Sequence, residues 1–241
     1  MDFRWVITKE DCRSYRDFIE QHRSHELVKE RILRNVKHRG VMHTQAEIWR
    51  VLVGCLLTTQ QRSGPSSQVE KFLESGHPLL DHAHCRRSRD LARFVRTTLS
   101  AHGLRWNGKI AKEVVHAVDW LSAHGWDPLL HQLDTLASHT TVKKERAVAN
   151  FIRDAFQGFG PKQSRNFIQW LGFSRYEIPL DSRVVKVLRS LDFPVPLSPT
   201  ALADEAYYCF IEDGIQLVLQ EVGVYPCVFD ACAFASLQTS K

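Results

Sequence analysis

The sequence predicts an all-α protein, on two observations. Apolar residues recur at spacings of three and four along most of the 241-residue chain, as on one face of a helix. Alternating apolar runs bounded by hairpin turns, the pattern of half-buried strands, are almost absent. With 44% hydrophobic and 24% charged residues, the chain has enough apolar surface to fold, which excludes a disordered protein. Its length allows one large domain or two modest ones.

The individual helices can be followed in chain order. Thr44-Gln-Ala-Glu47 is a capping box that opens a helix through Val51 and Cys55. Three amphipathic stripes follow, each ended by a glycine: Leu91–Leu99 before Gly103, Ile110–Leu121 before Gly125, and Ala147–Phe156 before Gly158. Further helices are predicted over 182–191, over 200–212 (entered through Ser198-Pro199) and over 227–238, giving about ten helices in all.

Charge is unevenly distributed along the chain, although the net charge is only +5. Residues 192–241 contain seven acidic residues and one basic residue, so residues 1–191 carry +11. Within them, 85–120 has eight bases and three acids, and 143–189 has ten bases and four acids. Two basic stretches favour a surface that binds a polyanion. Solvated basic helix faces are an equally good explanation from charge alone.

The sequence gives no sign of a membrane span or a secretory signal. The longest apolar run, Val51–Leu57, is far shorter than the roughly 18 to 20 residues that a span needs. The start, MDFRWVITKED, lacks the order of a signal peptide, and the six cysteines have no paired short spacing. We therefore expect a monomeric intracellular protein, cytoplasmic or nuclear and not secreted, with free thiols.

A tight turn between two helices is the most informative local feature. One helix is predicted to end at Gln157, Gly158-Phe-Gly160-Pro161 turns the chain, and a second helix starts near Lys162. Amides left uncovered by side chains, together with a helix N-terminus, suit a phosphate group. An ordinary helical turn would have the same glycines.

This segment carries a resemblance to a known family. GFGPKQSRNFIQWLG (158–172) resembles the helix-hairpin-helix of the base-excision DNA glycosylase superfamily that includes endonuclease III and 8-oxoguanine DNA glycosylase. Residues 51–73, residues 103–121 and the run IPLDSRVVKVL resemble other family segments, in the family's order. The resemblance implies a two-domain fold, with a central domain over 42–135 and a second domain from 1–41 and 136–241. The hairpin would cover about 146–172, and the active site would lie in the cleft between the domains.

The resemblance also implies catalytic residues. Bifunctional members have a lysine just after the second hairpin glycine and an aspartate about nineteen residues later, which matches Lys162 and Asp181. Such an enzyme is a DNA glycosylase with AP-lyase activity on double-stranded DNA. We expect the helix N-terminus and neighbouring bases to lower the pKa of Lys162. The favoured base is 8-oxoguanine; an oxidised pyrimidine, a hypermodified base, a monofunctional glycosylase and a non-catalytic DNA-binding module remain alternatives.

Further residues are assigned to DNA by the same resemblance. Contacts to DNA are expected from Gly158, Gly160, Gln60, Gln61, Arg165 and Arg183. A base pocket is expected from Asn166, Asp230 and Phe234, the last two being four residues apart and hence on one helix face. The alternatives are a polar helix end for the glutamines, surface arginines, and an aromatic residue that belongs to the core.

No cofactor or metal is expected. Endonuclease III-like members hold an iron–sulfur cluster with four cysteines after the aspartate, whereas this chain has only Cys209, Cys227 and Cys232 there. The twelve histidines are dispersed and form no zinc pattern. Whether a monovalent ion sits at the hairpin stays open.

Overall fold

The computed structural model describes residues 4–37, 43–61, 63–64 and 66–237. Over these ranges the chain is helical and has no strand, which confirms the predicted all-α class. The α-helices are α1 Lys9–His22, α2 Glu26–Arg31, α3 Gln45–Leu57, α4 Gln68–Glu74, α5 His82–Arg87, α6 Leu91–Ala101, α7 Asn107–His124, α8 Asp127–Ser138, α9 Val142–Ala155, α10 Pro161–Trp170, α11 Ser182–Ser190, α12 Glu205–Val222 and α13 Pro226–Ser236. A π-helical segment, Ile32–Lys37, continues α2, and two short 3₁₀ turns cover Pro78–Leu80 and Ala201–Ala203.

The predicted capping box at the start of α3 is present. The Thr44 hydroxyl accepts a hydrogen bond from the Glu47 amide at 3.2 Å, and the Glu47 carboxylate accepts one from the Thr44 amide at 2.7 Å. Each bond pairs an amide that would otherwise lack a partner at the helix N-terminus. The α3 helix then runs as a buried stripe through Leu57 toward the site described below.

The bounds predicted for the helix over 200–212 are wrong. Ala201–Ala203 form only a 3₁₀ turn, and α12 begins at Glu205, where the Asp204 side chain caps it by accepting from the Tyr207 amide at 2.8 Å. The helix then continues past Gly214 to Val222. Gly214 is retained inside it because the indole of Trp5 packs there, 2.6 Å from where a β-carbon would stand.

Two other predicted helix ends also shift. The α9 helix ends at Ala155 rather than Gln157, and α13 covers Pro226–Ser236 rather than 227–238. Residue 238 lies outside the described residues. Helix ends of this kind fray by one or two residues, so these changes leave the predicted elements intact.

The buried apolar residues form two clusters. The first is built from α3 to α10, between Ile48 and Phe173, and includes both helices of the hairpin. The second is built from α1, α2 and the C-terminal helices α11 to α13, with Leu180 at its edge. These clusters describe packing and set no domain boundary, so the division into 42–135 and 1–41 with 136–241 stays a prediction.

A buried carboxylate fixes the loop between the hairpin and α11. The Glu145 side chain, on α9, accepts hydrogen bonds from the amides of Arg175, Tyr176 and Glu177, each at 2.8 Å. Burial raises the pKa of Glu145 to about 6, and these amide hydrogen bonds act in the opposite sense. The loop is thereby tied to the hairpin before it reaches Asp181.

Within the described ranges, no single helix is long and apolar enough to cross a membrane. Taken together, α12 and α13 have the length and apolar composition of a membrane span that is broken between the two helices, with a bend of 96°.

Candidate active site

The hairpin between α9 and α10 uses its two glycines differently. Gly158 has φ +92°, and a β-carbon there would stand 2.5 Å from the carboxyl carbon of Glu113, so the fold requires glycine. Gly160 has φ −85°, and a β-carbon there would have no atom of the described residues within 4 Å. Pro161 occupies the first position of α10, as predicted. The fold itself makes no demand for glycine at 160, where the backbone stays open to an approaching ligand.

The first turn of α10 is tied to the end of α3. The side-chain amide of Gln163 donates to the Cys55 carbonyl at 2.6 Å and contacts the Thr58 and Thr59 hydroxyls at 3.2 Å each. Gln163 is 7% exposed, so these bonds replace contacts with water. They hold Lys162, the preceding residue, against the polar turn that follows α3.

Asp181 is the N-cap of α11, as predicted. One of its oxygens accepts from the Arg183 amide at 2.8 Å and the Val184 amide at 3.1 Å. The other accepts from two nitrogens of the Arg183 guanidinium, with Nε at 2.7 Å. The carboxylate therefore has a fixed position at the edge of the second apolar cluster, across from Lys162.

The pKa values of Lys162 and Asp181 are both lowered, for different reasons. Burial lowers the pKa of Lys162; the charges of Asp181, Cys55 and Asp230 oppose this, and that of Arg183 adds to it. Burial is thus the first cause, rather than the helix N-terminus and the neighbouring bases that the sequence suggested. Burial would raise the pKa of Asp181, but the charge and hydrogen bonds of Arg183 outweigh it, and the pKa is lowered. In the described part of the chain, Lys162 forms no ion pair within 4.0 Å, and its amine donates to the Gln163 side chain at 3.4 Å.

Lys162 and Asp181 line two adjoining spaces. The smaller and more enclosed space, of about 180 Å³, is called the inner cavity, and the other, of about 790 Å³, is called the outer cleft. Thr58, Ser63, Arg183 and Phe234 also line both spaces. The candidate site is therefore a cleft and a smaller pocket that share the lysine and the aspartate.

The three residues predicted for a base pocket all line the inner cavity: Asn166, Asp230 and Phe234. Asp230 is 7% exposed, and one of its oxygens accepts from the Arg31 guanidinium at 2.6 Å. Burial raises the pKa of Asp230, and the charge of Arg31 opposes the shift. The Arg183 guanidinium lies 4.1 Å from the centre of the Phe234 ring. The pocket thus combines a buried charged group with an aromatic ring.

Four further residues that sequence reasoning missed also line the inner cavity: Arg31, Arg34, Gln169 and Trp170. Gln169 is 2% exposed, and its side-chain nitrogen has no hydrogen-bond partner among the described residues. Trp170 packs on Gly54, where a β-carbon would stand 3.0 Å from the ring. Gln169 and Trp170 stand within the quoted hairpin segment, three and two residues before its end, but nothing in their local pattern marks them as pocket residues.

Gln60 and Gln61 line the outer cleft but differ in their contacts. The Gln61 side chain accepts from the Arg105 amide at 3.0 Å and donates to the Leu57 carbonyl, so both of its ends are paired within the protein. Gln60 is exposed, has φ +50°, and its side chain makes no hydrogen bond within the described ranges. Of the two, Gln60 is the one whose amide remains available to a ligand.

The predicted DNA contact of Arg165 is wrong. Arg165 is 0% exposed, and its guanidinium bonds to Glu205 at 2.7 Å, Glu177 at 2.9 Å and Glu212 at 3.3 Å. Two of these partners come from α12, in the acidic part of the chain, so part of the charge asymmetry is neutralised inside the protein. Arg183, by contrast, is partly exposed at the cleft, and its predicted phosphate contact stays a prediction.

Among the described residues, no group of three or more His, Cys, Asp or Glu side chains lies close enough together to hold a metal ion. The cysteines that follow Asp181 form no disulfide; Cys227 and Cys232 are buried and Cys209 is partly buried.

Comparison with known proteins identifies the fold. No protein-family model and no curated protein matches the sequence. The 8-oxoguanine glycosylase/lyase of Methanocaldococcus jannaschii, solved with a 15mer DNA containing 8-oxoguanine, matches with a TM-score of 0.67 at 16% identity, over 94% of this chain and 97% of that one. The 8-oxoguanine DNA glycosylase of Thermotoga maritima gives the same four values. A second M. jannaschii structure matches with a TM-score of 0.63 at 15% identity, over 95% of this chain and 94% of that one. The chain therefore has the all-helical fold of these glycosylases, which confirms the predicted fold.

Proposed function

We propose that this protein is a bifunctional DNA glycosylase and AP lyase. The observation that carries the proposal is that Lys162 and Asp181, taken from the sequence by their spacing, line the same cleft beside the hairpin. They do so in a fold shared with 8-oxoguanine glycosylases. By this proposal the chain belongs to the helix-hairpin-helix glycosylase superfamily and acts on double-stranded DNA in base excision repair.

Asp181 serves the first step. Breaking the bond between C1′ and the base nitrogen passes through a cation-like sugar, as in glycoside hydrolysis. A carboxylate that stays ionised stabilises that positive charge, and the lowered pKa of Asp181 keeps it ionised at neutral pH. Its fixed position as the cap of α11 means that it needs no reorganisation when charge develops.

Lys162 acts in the same bond-breaking step and in the steps that follow it. As the neutral amine, it attacks C1′ while the base departs with the glycosidic electron pair and takes up a proton. Loss of a proton from the lysine nitrogen and opening of the sugar ring leave a Schiff base. Removal of a C2′ proton then expels the 3′ phosphate by β-elimination. Burial of Lys162 favours the neutral amine that starts this sequence.

The base is everted into the inner cavity before it is cut out, which costs a few kcal/mol of lost stacking and pairing. We favour 8-oxoguanine, because both named relatives with this fold act on it. The pocket offers Phe234 for stacking, and Asp230 and Gln169 for reading the base edge. Another modified base, such as an oxidised pyrimidine or a hypermodified base, is the second candidate.

Binding of the duplex is assigned to the open face of the hairpin and the rim of the cleft. Gly160 leaves backbone amides at the start of α10 uncovered, where a phosphate is favourably placed. Gln60 and Arg183 both line the outer cleft. We propose that the protein acts as a monomer in a compartment that contains DNA.

Borohydride trapping tests the proposal. Duplexes that each contain one modified base are incubated with the protein and reduced, and a covalent protein–DNA adduct is expected with 8-oxoguanine. Lys162→Gln should abolish the adduct, whereas Lys186→Gln, an exposed lysine of α11, should leave it unchanged.

The alternatives give different results in the same assay. Base release without an adduct would identify a monofunctional glycosylase. Duplex binding without base release from any lesion would identify a non-catalytic DNA-binding module. An undiminished adduct in Lys162→Gln would remove that lysine from the mechanism.

A further inference from the structure

An arginine-rich surface lies on α5, α6 and the turn between them, outside the cleft. All five of its arginines are exposed, and none forms an ion pair with another described residue: Arg86, Arg87, Arg89, Arg93 and Arg96. We call these five residues the arginine surface. Unpaired arginines at this density raise the local positive potential, because no neighbouring carboxylate neutralises them.

The two acidic residues nearest in sequence serve as helix caps. The Asp81 side chain accepts from the Ala83 amide at 2.8 Å at the start of α5, and the Asp90 side chain accepts from the Arg93 amide at 3.0 Å at the start of α6. Their charge therefore stabilises helix N-termini, where carboxylates are favoured, and the arginine side chains remain available.

The placement of the arginines follows from the amphipathic pattern of α6. Val95 and Leu99 are fully buried in the first apolar cluster, whereas Arg93 and Arg96, one turn apart, lie on the exposed part of the helix. These two arginines share a shallow depression with Thr97, Ser100 and Asn107. The depression combines two guanidinium groups with hydroxyl and amide groups, the side chains that proteins use to contact phosphate oxygens.

The depression and the outer cleft are lined by residues of the same turn. Asn107 begins α7, and two residues earlier Arg105 lines the outer cleft, where its amide donates to the Gln61 side chain. Between them, Trp106 is 46% exposed and has φ +58°. One turn, Arg105 to Asn107, therefore contributes a residue to the outer cleft and a residue to the depression.

We propose that the arginine surface binds the phosphate backbone of the duplex that occupies the cleft, at nucleotides that flank the everted base. The inference rests on the proposed function for the position of that duplex. It extends the interface beyond the hairpin and the catalytic pair, to a second set of contacts that is independent of base identity. Such contacts position the protein on DNA without reading its sequence.

The experiment compares a short duplex of about one helical turn with a long one of about three turns, both without a lesion and both titrated over a range of salt concentrations. The variant is Arg93→Gln/Arg96→Gln. The matched control is Arg13→Gln/Arg16→Gln, an exposed pair on α1 with the same spacing and the same change of charge. Thermal unfolding checks that each variant is folded.

On the long duplex, the Arg93/Arg96 variant should lose about two units from the slope of log affinity against log salt, at roughly 0.9 per phosphate contact. Its affinity should fall roughly 10- to 100-fold at about 0.1 M salt. On the short duplex, the Arg93/Arg96 variant should bind with the affinity of the unaltered protein. The Arg13/Arg16 control should bind both duplexes with the affinity of the unaltered protein. An unchanged slope on the long duplex, or equal losses of affinity on both duplexes, would overturn the inference.

Borohydride trapping at a lesion is measured separately from duplex binding. Failure of the proposed function would therefore appear as a loss of trapping, and the comparison of the two duplexes would still test the arginine surface.

Discussion

Gly158 lies so close to the side chain of Glu113 that a β-carbon at position 158 would stand 2.5 Å from the Glu113 carboxyl carbon. Glu113 is 3% exposed, burial raises its pKa, and one of its oxygens has no hydrogen-bond partner among the described residues. This buried carboxyl group therefore packs directly against the hairpin backbone at Gly158. The other hairpin glycine, Gly160, has no such neighbour in the part of the chain that the structure describes.

The first prediction separates the two glycines. Gly158→Ala should lower the free energy of unfolding by more than about 1 kcal/mol, because of the positive φ and the clash with Glu113. Gly160→Ala should unfold at nearly the unaltered temperature but bind duplex DNA more weakly, because its methyl group would stand where the backbone meets phosphate. Thermal unfolding and duplex binding measure the two effects. Unaltered DNA affinity in a folded Gly160→Ala protein would exclude the hairpin from the interface.

The second prediction concerns the pH at which Lys162 reacts. The charge of Asp181 raises the pKa of Lys162 and that of Arg183 lowers it. Asp181→Asn should therefore shift the rise in activity to lower pH. Arg183→Gln should shift it to higher pH, since it also leaves Asp181 without its cation.

The measurement is the rate of borohydride trapping against pH on a duplex with a preformed abasic site. This substrate needs no base release, so loss of the glycosylase step in Asp181→Asn does not hide the shift. Profiles that move in the same direction in both variants would show that these charges do not set the pKa of Lys162.

The third prediction concerns Gln169, whose side-chain nitrogen is buried at the inner cavity and has no hydrogen-bond partner among the described residues. Gln169→Leu should leave stability unchanged or improve it, since an unpaired buried donor costs about 1–3 kcal/mol. The same change should slow release of the base about tenfold. The reason is that the Gln169 amide would donate a hydrogen bond to the everted base, and a loss of about 1.4 kcal/mol in the transition state corresponds to a tenfold lower rate.

The control for Gln169→Leu is again the abasic site. Trapping there should proceed at the unaltered rate, because no base is left for the side chain to contact. A variant that releases 8-oxoguanine at the unaltered rate would assign Gln169 to packing. Equal losses on both substrates would indicate damage to the cleft as a whole.

Sequence reasoning reached the parts of the site that are local in the chain. The turn at Gly158, the position of Lys162 and the capping role of Asp181 each depend on a few neighbouring residues, and each lies where it was predicted. The pocket depends on contacts across the fold. Arg31 reaches Asp230 from 199 residues away, and no pattern around Arg31 indicates that pairing.

The same distinction explains the error at Arg165. A count of charge along the chain treats a basic stretch and an acidic stretch as separate surfaces. In the folded chain, Glu205 and Glu212 come from the acidic stretch and meet Arg165 in the interior, 40 and 47 residues away in sequence. The positive charge of Arg165 and the negative charges of Glu205 and Glu212 offset one another only because α10 and α12 are brought together in the fold.

The fourth prediction follows from that interior network. Arg165→Met should destabilise the protein by about 3–5 kcal/mol at neutral pH, because the buried Glu177 carboxylate would lose one of its two arginine partners and keep only Arg146. Burial would raise the pKa of Glu177, but the hydrogen bond with Glu212 and the charges of Arg165 and Arg146 outweigh it, and the pKa is lowered. Burial holds the pKa of Glu212 well above its usual value, so the pH dependence comes from Glu177. The stability that Glu177 contributes is present at neutral pH and is lost as the pH falls through its folded-state pKa. Denaturant unfolding at several pH values should show that the difference in free energy of unfolding between the variant and the unaltered protein becomes smaller in acid.

Because Arg165 is fully buried, the salt dependence of DNA binding should stay unaltered wherever the variant is folded. A folded, stable Arg165→Met protein with a shallower salt dependence would instead restore this arginine to the DNA interface.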